Sequence, residues 1–77
     1  MAVEQIIMEL ERYRLYLGET QDVFAQRIRP RLTGVQWCRW VRGKNRPISM
    51  YRDRMHVVLN DLKARYGLLE KHFEPVP

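Results

Sequence analysis

The stretch TQDVFAQRIRPRLTGVQWCRWVRGKNRP, residues 20–47, contains the clearest structural signals in the chain. It reads as two short helices, each with a start and a stop signal. Thr20 and Thr33 are suitable N-caps, because a threonine hydroxyl accepts a hydrogen bond from a free N–H of the first helical turn. Pro30 ends the first helix, since the residue before a proline is disfavoured in the α region, and Gly43 ends the second. Two short helices joined by a turn indicate a helix-turn-helix.

A longer helix is predicted on each side of this pair. Apolar residues recur at helical spacing between residues 3 and 17, and Gly18 stops that helix. Ser49 opens a fourth helix over about residues 49–66, which Gly67 closes. The sequence therefore predicts an all-α fold, a compact four- to five-helix bundle with a long C-terminal helix, in which the tail adds the last short helix.

The length and composition are those of one small folded domain. The chain has 77 residues, of which 45% are hydrophobic and 30% charged, so a single domain over residues 1–77 is expected. Its longest apolar runs fall far short of the ~20 residues that span a bilayer. The only cysteine, Cys38, has no partner for an intramolecular disulfide. We expect a cytoplasmic protein.

Positive charge is concentrated in the middle of the chain. The net charge is +5, yet residues 1–26 carry two arginines and five acids, a net of −3. Residues 27–54 carry nine lysines and arginines against Asp53 alone, a net of +8. Such a block favours a polyanion as partner, because cations that bind phosphates release condensed counterions. A solvated basic face without a dedicated partner is the alternative interpretation.

In one continuous register, these residues resemble the lambda repressor and Cro-like helix-turn-helix family. The segments TQDVFAQRI and WVRGKNRP, with Leu32 and Thr33 between them, follow that family's Thr-Gln start, its small alanine, its apolar turn residue and cap, and its Trp-x-Arg-Gly-Lys ending. The resemblance covers about residues 6–48 and places the helix-turn-helix at about residues 20–42. It implies a sequence-specific regulator of transcription, most often a homodimeric repressor on double-stranded DNA, nucleoid-associated in a bacterial or phage-infected cell and encoded by a phage or mobile element.

The resemblance also implies which residues contact DNA, since in this family the exposed face of the third helix enters the major groove. The residues expected to read bases are Gly34, Val35, Gln36, Cys38 and Arg39. The residues expected to bind phosphates are Gln21, Thr33, Arg31, Arg42, Lys44, Asn45 and Arg46. Arg39 is suited to bidentate contact with guanine, and Val35 to contact with a thymine methyl.

Helical phase separates the two tryptophans from this outward face. Trp37 and Trp40 lie on the opposite side of the third helix, which predicts core packing rather than stacking on single-stranded bases. Cys38 has no neighbouring base in the pattern, and the two histidines, His56 and His72, fit no zinc spacing. No enzymatic activity, metal, cofactor or small-molecule ligand is expected.

Two features depart from the family pattern. Residues 29–31, RPR, stand where the family usually has one residue, which leaves the angle between the second and third helices open. Arg14 lacks its usual acidic partner near the end of the third helix, where Val41 stands. The acids of the first helix that are expected on its solvent face are Glu4, Glu9 and Glu11.

Apolar residues left outside the helical stripes indicate a partner surface. The predicted homodimer contacts lie on the fourth helix and the tail, and they are Val57, Leu68, Leu69 and Phe73. The competing interpretation is that such residues close the core of a monomer. Two other functions stay open, an architectural, excisionase-like DNA-bending factor and a protein-interaction inhibitor that uses the face of the fourth helix.

Overall fold

The computed structural model of the chain describes residues 2–47 and 49–68. These residues form four α-helices and no strand: α1 is Val3–Leu17, α2 is Gln21–Ile28, α3 is Gly34–Val41 and α4 is Ser49–Tyr66. The all-α fold is confirmed, and the helix bounds agree with those that the sequence predicts. The short helix predicted for the tail lies outside the described residues.

Both predicted threonine caps are made. Thr20 Oγ1 accepts a hydrogen bond from the Val23 N–H at 3.2 Å, and α2 begins directly after it. Thr33 Oγ1 accepts one from the Gln36 N–H, also at 3.2 Å, at the start of α3. Each hydroxyl satisfies a backbone donor that has no partner within its helix.

Gly43 ends α3 as the sequence predicts. Its φ of 72° lies in the left-handed region, where a side chain is costly and glycine is not. Its N–H donates to the Trp40 carbonyl at 3.1 Å, and the Lys44 N–H donates to the Arg39 carbonyl at 2.8 Å. These paired bonds close the helix end and turn the chain so that residues 44 and 45 follow alongside α3.

The four helices enclose one apolar core. Its buried residues come from every helix and from the link before α3, and they are Val3, Ile6, Ile7, Leu10, Tyr13, Phe24, Ala25, Ile28, Leu32, Trp37, Trp40, Met55, Val58, Leu59 and Leu62. Trp37 is fully buried and Trp40 is 4% exposed, so both tryptophans belong to the core, as predicted. The Phe24 and Trp37 rings lie 5.4 Å apart, centroid to centroid, and join α2 to α3.

The lengthened link between α2 and α3 is accommodated in an exposed turn. The Leu32 N–H donates to the Arg29 carbonyl at 3.1 Å, and Pro30 holds the second position of this turn, where its fixed φ fits. Leu32 then re-enters the core with 6% of its surface exposed. The additional residues therefore leave the two helices and their caps intact.

Two acids of α1 do not lie on the solvent face that the sequence predicts for them. The Glu11 side chain is 12% exposed, and its carboxylate accepts two hydrogen bonds from Arg14, each 2.6 Å long. It also accepts a bond from Trp37 Nε1 at 2.9 Å. The Glu9 side chain is half-buried beside Lys63. The prediction holds for Glu4, which is exposed, and is wrong for Glu9 and Glu11.

Glu11 also serves as the acidic partner of Arg14, in place of the acid that α3 lacks. Arg14 binds Glu11 one turn earlier on its own helix and donates a second bond to the Glu19 carbonyl at 2.8 Å. The carboxylate of Glu11 then reaches Trp37, so α1 is joined to α3 without an acid at position 41. The hydrogen bonds that Arg14 donates to the Glu11 carboxylate raise the pKa of Arg14.

Candidate nucleic-acid interface

The outward side of α3 carries the side chains predicted to read bases. Val35 is 64% exposed and Arg39 is exposed, while Cys38 and Gln36 are half-buried beside them. The buried face of the same helix fixes this orientation, because Trp37 and Trp40 occupy the core behind it. The short helix α3, capped at both ends, therefore presents the two methyl groups of Val35 and the guanidinium group of Arg39 on its outward side.

An open concavity of about 490 Å³ lies along this outward side. Its lining residues come from the start of α2, from α3 and from the loop after α3, and they are Gln21, Val35, Cys38, Arg39, Arg42, Lys44 and Asn45. All seven are among the residues that the sequence predicts to contact DNA. We call this concavity the reading side.

A second concavity of about 370 Å³ lies on another side of α3. Its lining residues are Arg31, Leu32, Thr33, Gln36, Trp40, Arg46, Pro47 and Tyr51. Four of these residues were also predicted to contact DNA, and they are Arg31, Thr33, Gln36 and Arg46. Of the predicted DNA contacts, only Gly34 lines neither of these two concavities. We call this concavity the turn side. The predicted DNA contacts are therefore divided between two sides of α3, a division that the sequence does not reveal.

The cations of the two concavities are available to a ligand. In the part of the chain that the structure describes, Arg31, Arg39, Arg42 and Lys44 form no ion pair. Arg46 lies 3.6 Å from a Glu4 carboxylate oxygen, but both side chains are largely exposed. An exposed pair of this kind contributes little and yields readily to a stronger anion.

Other arginines of the basic block are engaged within the fold. Arg27 binds Glu19 through contacts of 2.8 and 2.6 Å, and this hydrogen bonding lowers the pKa of Glu19 and raises the pKa of Arg27. The Arg29 guanidinium lies 5.5 Å from the centre of the Tyr51 ring. The cations that are available to a ligand are therefore fewer than the nine in the basic block, and those that line the two concavities lie on α3 and on the loops next to it.

Gly34 is the one predicted base-reading residue that the structure places elsewhere. It is buried, and its N–H donates to Asp22 Oδ1 at 2.6 Å. A Cβ added to Gly34 would lie 2.7 Å from both the backbone N and Oδ1 of Asp22, well inside contact distance. The prediction that Gly34 shares the exposed face of α3 is wrong, because the helix start is pressed against α2.

Asp22 is the residue of this region that the sequence interpretation missed. It stands on α2, twelve residues before its partner, and no local motif links the two. The available signal was the glycine itself, since a glycine directly after an N-cap marks a place where another backbone approaches closely. An acid next to Gln21, a residue predicted to bind phosphate, was a second signal.

Two of the four predicted dimer contacts can be placed. Val57, on α4, and Leu68, just after α4, are both exposed. Leu69 and Phe73 lie outside the described residues. Residues 2–47 and 49–68 contain no group of three or more metal-ligating side chains, and none of their helices has the length and apolarity to cross a membrane.

No protein-family model matches this chain, and no curated protein or solved structure matches it either. A function for the protein must therefore be argued from its residues and from the geometry of the two concavities.

Proposed function

We propose that this protein is a sequence-specific regulator that binds double-stranded DNA through α3 and acts most simply as a repressor. The observation that carries the proposal is the reading side, where Arg39, Arg42 and Lys44, which form no ion pair among the described residues, line one concavity with the exposed Val35. A solvated basic face without a partner would not require an exposed apolar residue among its cations. A groove with base edges inside and phosphates outside suits both kinds of side chain.

Base recognition would come from the middle of the reading side. The major groove is about 12 Å wide and admits an α-helix. In it Arg39 can donate two hydrogen bonds to the O6 and N7 atoms of one guanine, and Val35 can contact the methyl group of a thymine. Cys38, half-buried on the same side, has a small side chain, which would let the backbone of α3 approach the bases.

Phosphate binding would come from both sides of α3. On the reading side, Lys44 and Asn45 stand on the loop after Gly43, and Gln21 stands at the N-terminus of α2, where free N–H groups favour an anion. On the turn side, Arg31 and Arg46 flank the Thr33 hydroxyl, which can still donate its proton while its oxygen caps α3. The two sets of contacts suit the two strands that border a groove.

Repression needs no chemistry at this surface. A protein bound to an operator excludes polymerase by occupying the site. A homodimer would place two copies of α3 about 34 Å apart, one helical turn of DNA, on a two-fold symmetric site. The exposed Val57 on α4 and the exposed Leu68 just after it are the described residues that we assign to that dimer contact.

Selection from a random-sequence duplex library at two salt concentrations tests the proposal. We expect a consensus with two-fold symmetry and half-sites about 10 base pairs apart, with affinity that falls as salt rises. Binding without sequence preference would contradict the proposal. If such binding also bends the duplex, the protein is an architectural factor, and if no duplex binds at moderate salt, it is a protein-interaction module.

A further inference from the structure

Asp22 joins the start of α2 to the start of α3. Its Oδ1 accepts a 2.6 Å hydrogen bond from the N–H of Gly34, the first residue of α3. That N–H has no acceptor within its own helix, so the carboxylate acts as a second cap beside the Thr33 hydroxyl. The bond is short and charge-assisted, which makes it stronger than a bond between neutral groups.

The two backbones are in direct contact at this point. Beyond the hydrogen bond, the position of a Cβ on Gly34 would be only 2.7 Å from the Asp22 backbone N and 3.0 Å from the Gln21 carbonyl carbon. Only glycine allows α3 to begin this close to α2. The next residue, Val35, is 64% exposed and is the first residue of α3 on the reading side.

The link between the helices does not hold α3 at this position by itself. Residues 29–33 include an exposed turn around Pro30, and their anchor in the core is Leu32. A link of this length fits more than one helix angle. Core packing of Trp37 and Trp40 orients the body of α3. The contact between Asp22 and Gly34 fixes the end of the helix that would lead into the groove.

A carboxylate at this place is otherwise unfavourable for a surface that binds phosphates. Asp22 is exposed, and it follows Gln21, which lines the reading side. Its charge would weaken the attraction of the neighbouring cations for DNA. The negative charge of Asp22 therefore does not explain why an acid stands at this position. Its hydrogen bond to the Gly34 N–H does explain it.

We propose that Asp22 is a positioning residue for DNA recognition, which holds the N-terminus of α3 so that its side chains meet base edges in one register. The inference rests on the proposed function. It predicts that losing the hydrogen bond lowers discrimination between sequences more than it lowers general affinity for DNA. Recognition tolerates only small displacements of the contacting groups, whereas phosphate contacts tolerate larger ones.

Three variants separate this role from a general effect on folding or charge. Asp22→Ala removes both the charge and the acceptor, and Asp22→Asn removes the charge but keeps an acceptor oxygen. Thr20→Ala is the matched control, because it removes a side-chain cap from the same end of α2 and leaves the contact with α3 intact.

The first measurement is made without DNA, by hydrogen exchange of the Gly34 amide followed by NMR. We expect faster exchange in Asp22→Ala, by about tenfold, the factor that corresponds to one charge-assisted hydrogen bond. In Asp22→Asn and in Thr20→Ala, after correction for their global stability, the Gly34 amide should remain protected. Unchanged protection in Asp22→Ala would overturn the proposal.

The second measurement is the ratio of affinities for the selected operator and for a random duplex. We expect this ratio to fall about tenfold in Asp22→Ala and to stay near the wild-type value in Asp22→Asn and Thr20→Ala. Equal ratios in Asp22→Ala and the wild type would overturn the proposed role of Asp22 but would leave the proposed DNA-binding function standing. If the wild-type protein prefers no sequence at all, the proposed function fails, and the role of Asp22 in recognition fails with it.

Discussion

Arg39 and Lys44 line the same concavity but have different expected roles. Arg39 stands on α3 beside Val35, where a base edge would lie, and Lys44 stands on the loop after the helix end. Neither makes an ion pair with another described residue, so each is available to contact DNA. Single substitutions can therefore test whether Arg39 contacts a base and Lys44 contacts a phosphate.

Replacing each cation with alanine should give two different binding profiles. Arg39→Ala is expected to lose about 1–3 kcal/mol of binding free energy at one base position and to relax the preference there. Lys44→Ala should weaken all sequences alike and reduce the slope of log affinity against log salt by about one. Fluorescence anisotropy with the consensus and single-base variants measures both effects. Arg52→Ala, an exposed arginine on α4 outside both concavities, is the control, and identical profiles for Arg39→Ala and Lys44→Ala would contradict the assigned roles.

The ion pair between Glu19 and Arg27 should make stability depend on pH. Because Arg27 lowers the pKa of Glu19 below its ordinary 4.5, the pair stabilises the fold above the pKa of the unfolded chain. Its contribution is lost as the pH falls through the lower, folded pKa. The Arg27 side chain is 38% exposed, so we expect less than about 1 kcal/mol.

Urea unfolding of the wild type and of Glu19→Gln over a pH series checks this expectation. The difference in unfolding free energy should be constant above about pH 5 and should shrink as the solution is acidified below about pH 4. Asp53→Asn is the control, because Asp53 is an exposed acid of α4 that pairs with no cation among the described residues and should add little at any pH. A difference between wild type and Glu19→Gln that grows on acidification would contradict the stabilising role of Glu19.

At the scale of the helices, their bounds follow from signals that lie next to one another in the sequence. Thr20 and Thr33 cap the residues just after them, and Gly43 ends the helix just before it. Such interactions are encoded within one turn, so a single sequence is sufficient to predict them. The same is true of the burial of Trp37, which follows from helical phase.

The contacts between helices were not predictable in this way. Glu11 and Trp37 are 26 residues apart, and Asp22 and Gly34 are 12 apart, so no local pattern pairs them. The periodicity of α1 places Glu11 outside the apolar stripe, which led to its assignment as a solvent-facing acid. Its burial depends on where α3 crosses α1, and that crossing is a property of the packed core.

The close approach of α2 and α3 predicts an unusual outcome for Gly34→Ala. In an exposed helix this change stabilises by about 1 kcal/mol through helix propensity. Here the new methyl group would meet the Asp22 backbone at 2.7 Å, and the overpacking costs typically 1–3 kcal/mol. We expect a net loss of about 1 kcal/mol, which lowers the melting temperature of so small a domain by about 5 °C.

Thermal unfolding followed by circular dichroism measures this loss. Val35→Ala, the next residue and an exposed one, is the control and should change the melting temperature little. A higher melting temperature for Gly34→Ala than for the wild type would show that the start of α3 has room to move.

For the molecule as a whole, the proposed DNA-binding surface and the proposed dimer contact lie on different elements. Arg39, Arg42 and Lys44, which form no ion pair among the described residues, lie on or just after α3, whereas the exposed Val57 lies on α4. Of the described residues of α4, Tyr51 lines the turn side and none lines the reading side. This separation lets one copy of the chain bind DNA and a second copy at the same time. Cooperative binding to paired half-sites is the consequence that we expect of a homodimer.

Val57→Asp should therefore abolish cooperativity without weakening the contact of α3 with DNA. A carboxylate buried against a second copy would lack a partner, which costs enough to lower affinity for a duplex with two half-sites by at least about tenfold. Sedimentation velocity with duplexes of one and two half-sites distinguishes the cases: binding to a single half-site should be unchanged. Gln5→Asp, which adds the same charge at an exposed position on α1, is the control. If Val57→Asp still binds paired half-sites cooperatively, the dimer contact does not include the outer face of α4, and the residues around Val57 have no part in operator recognition.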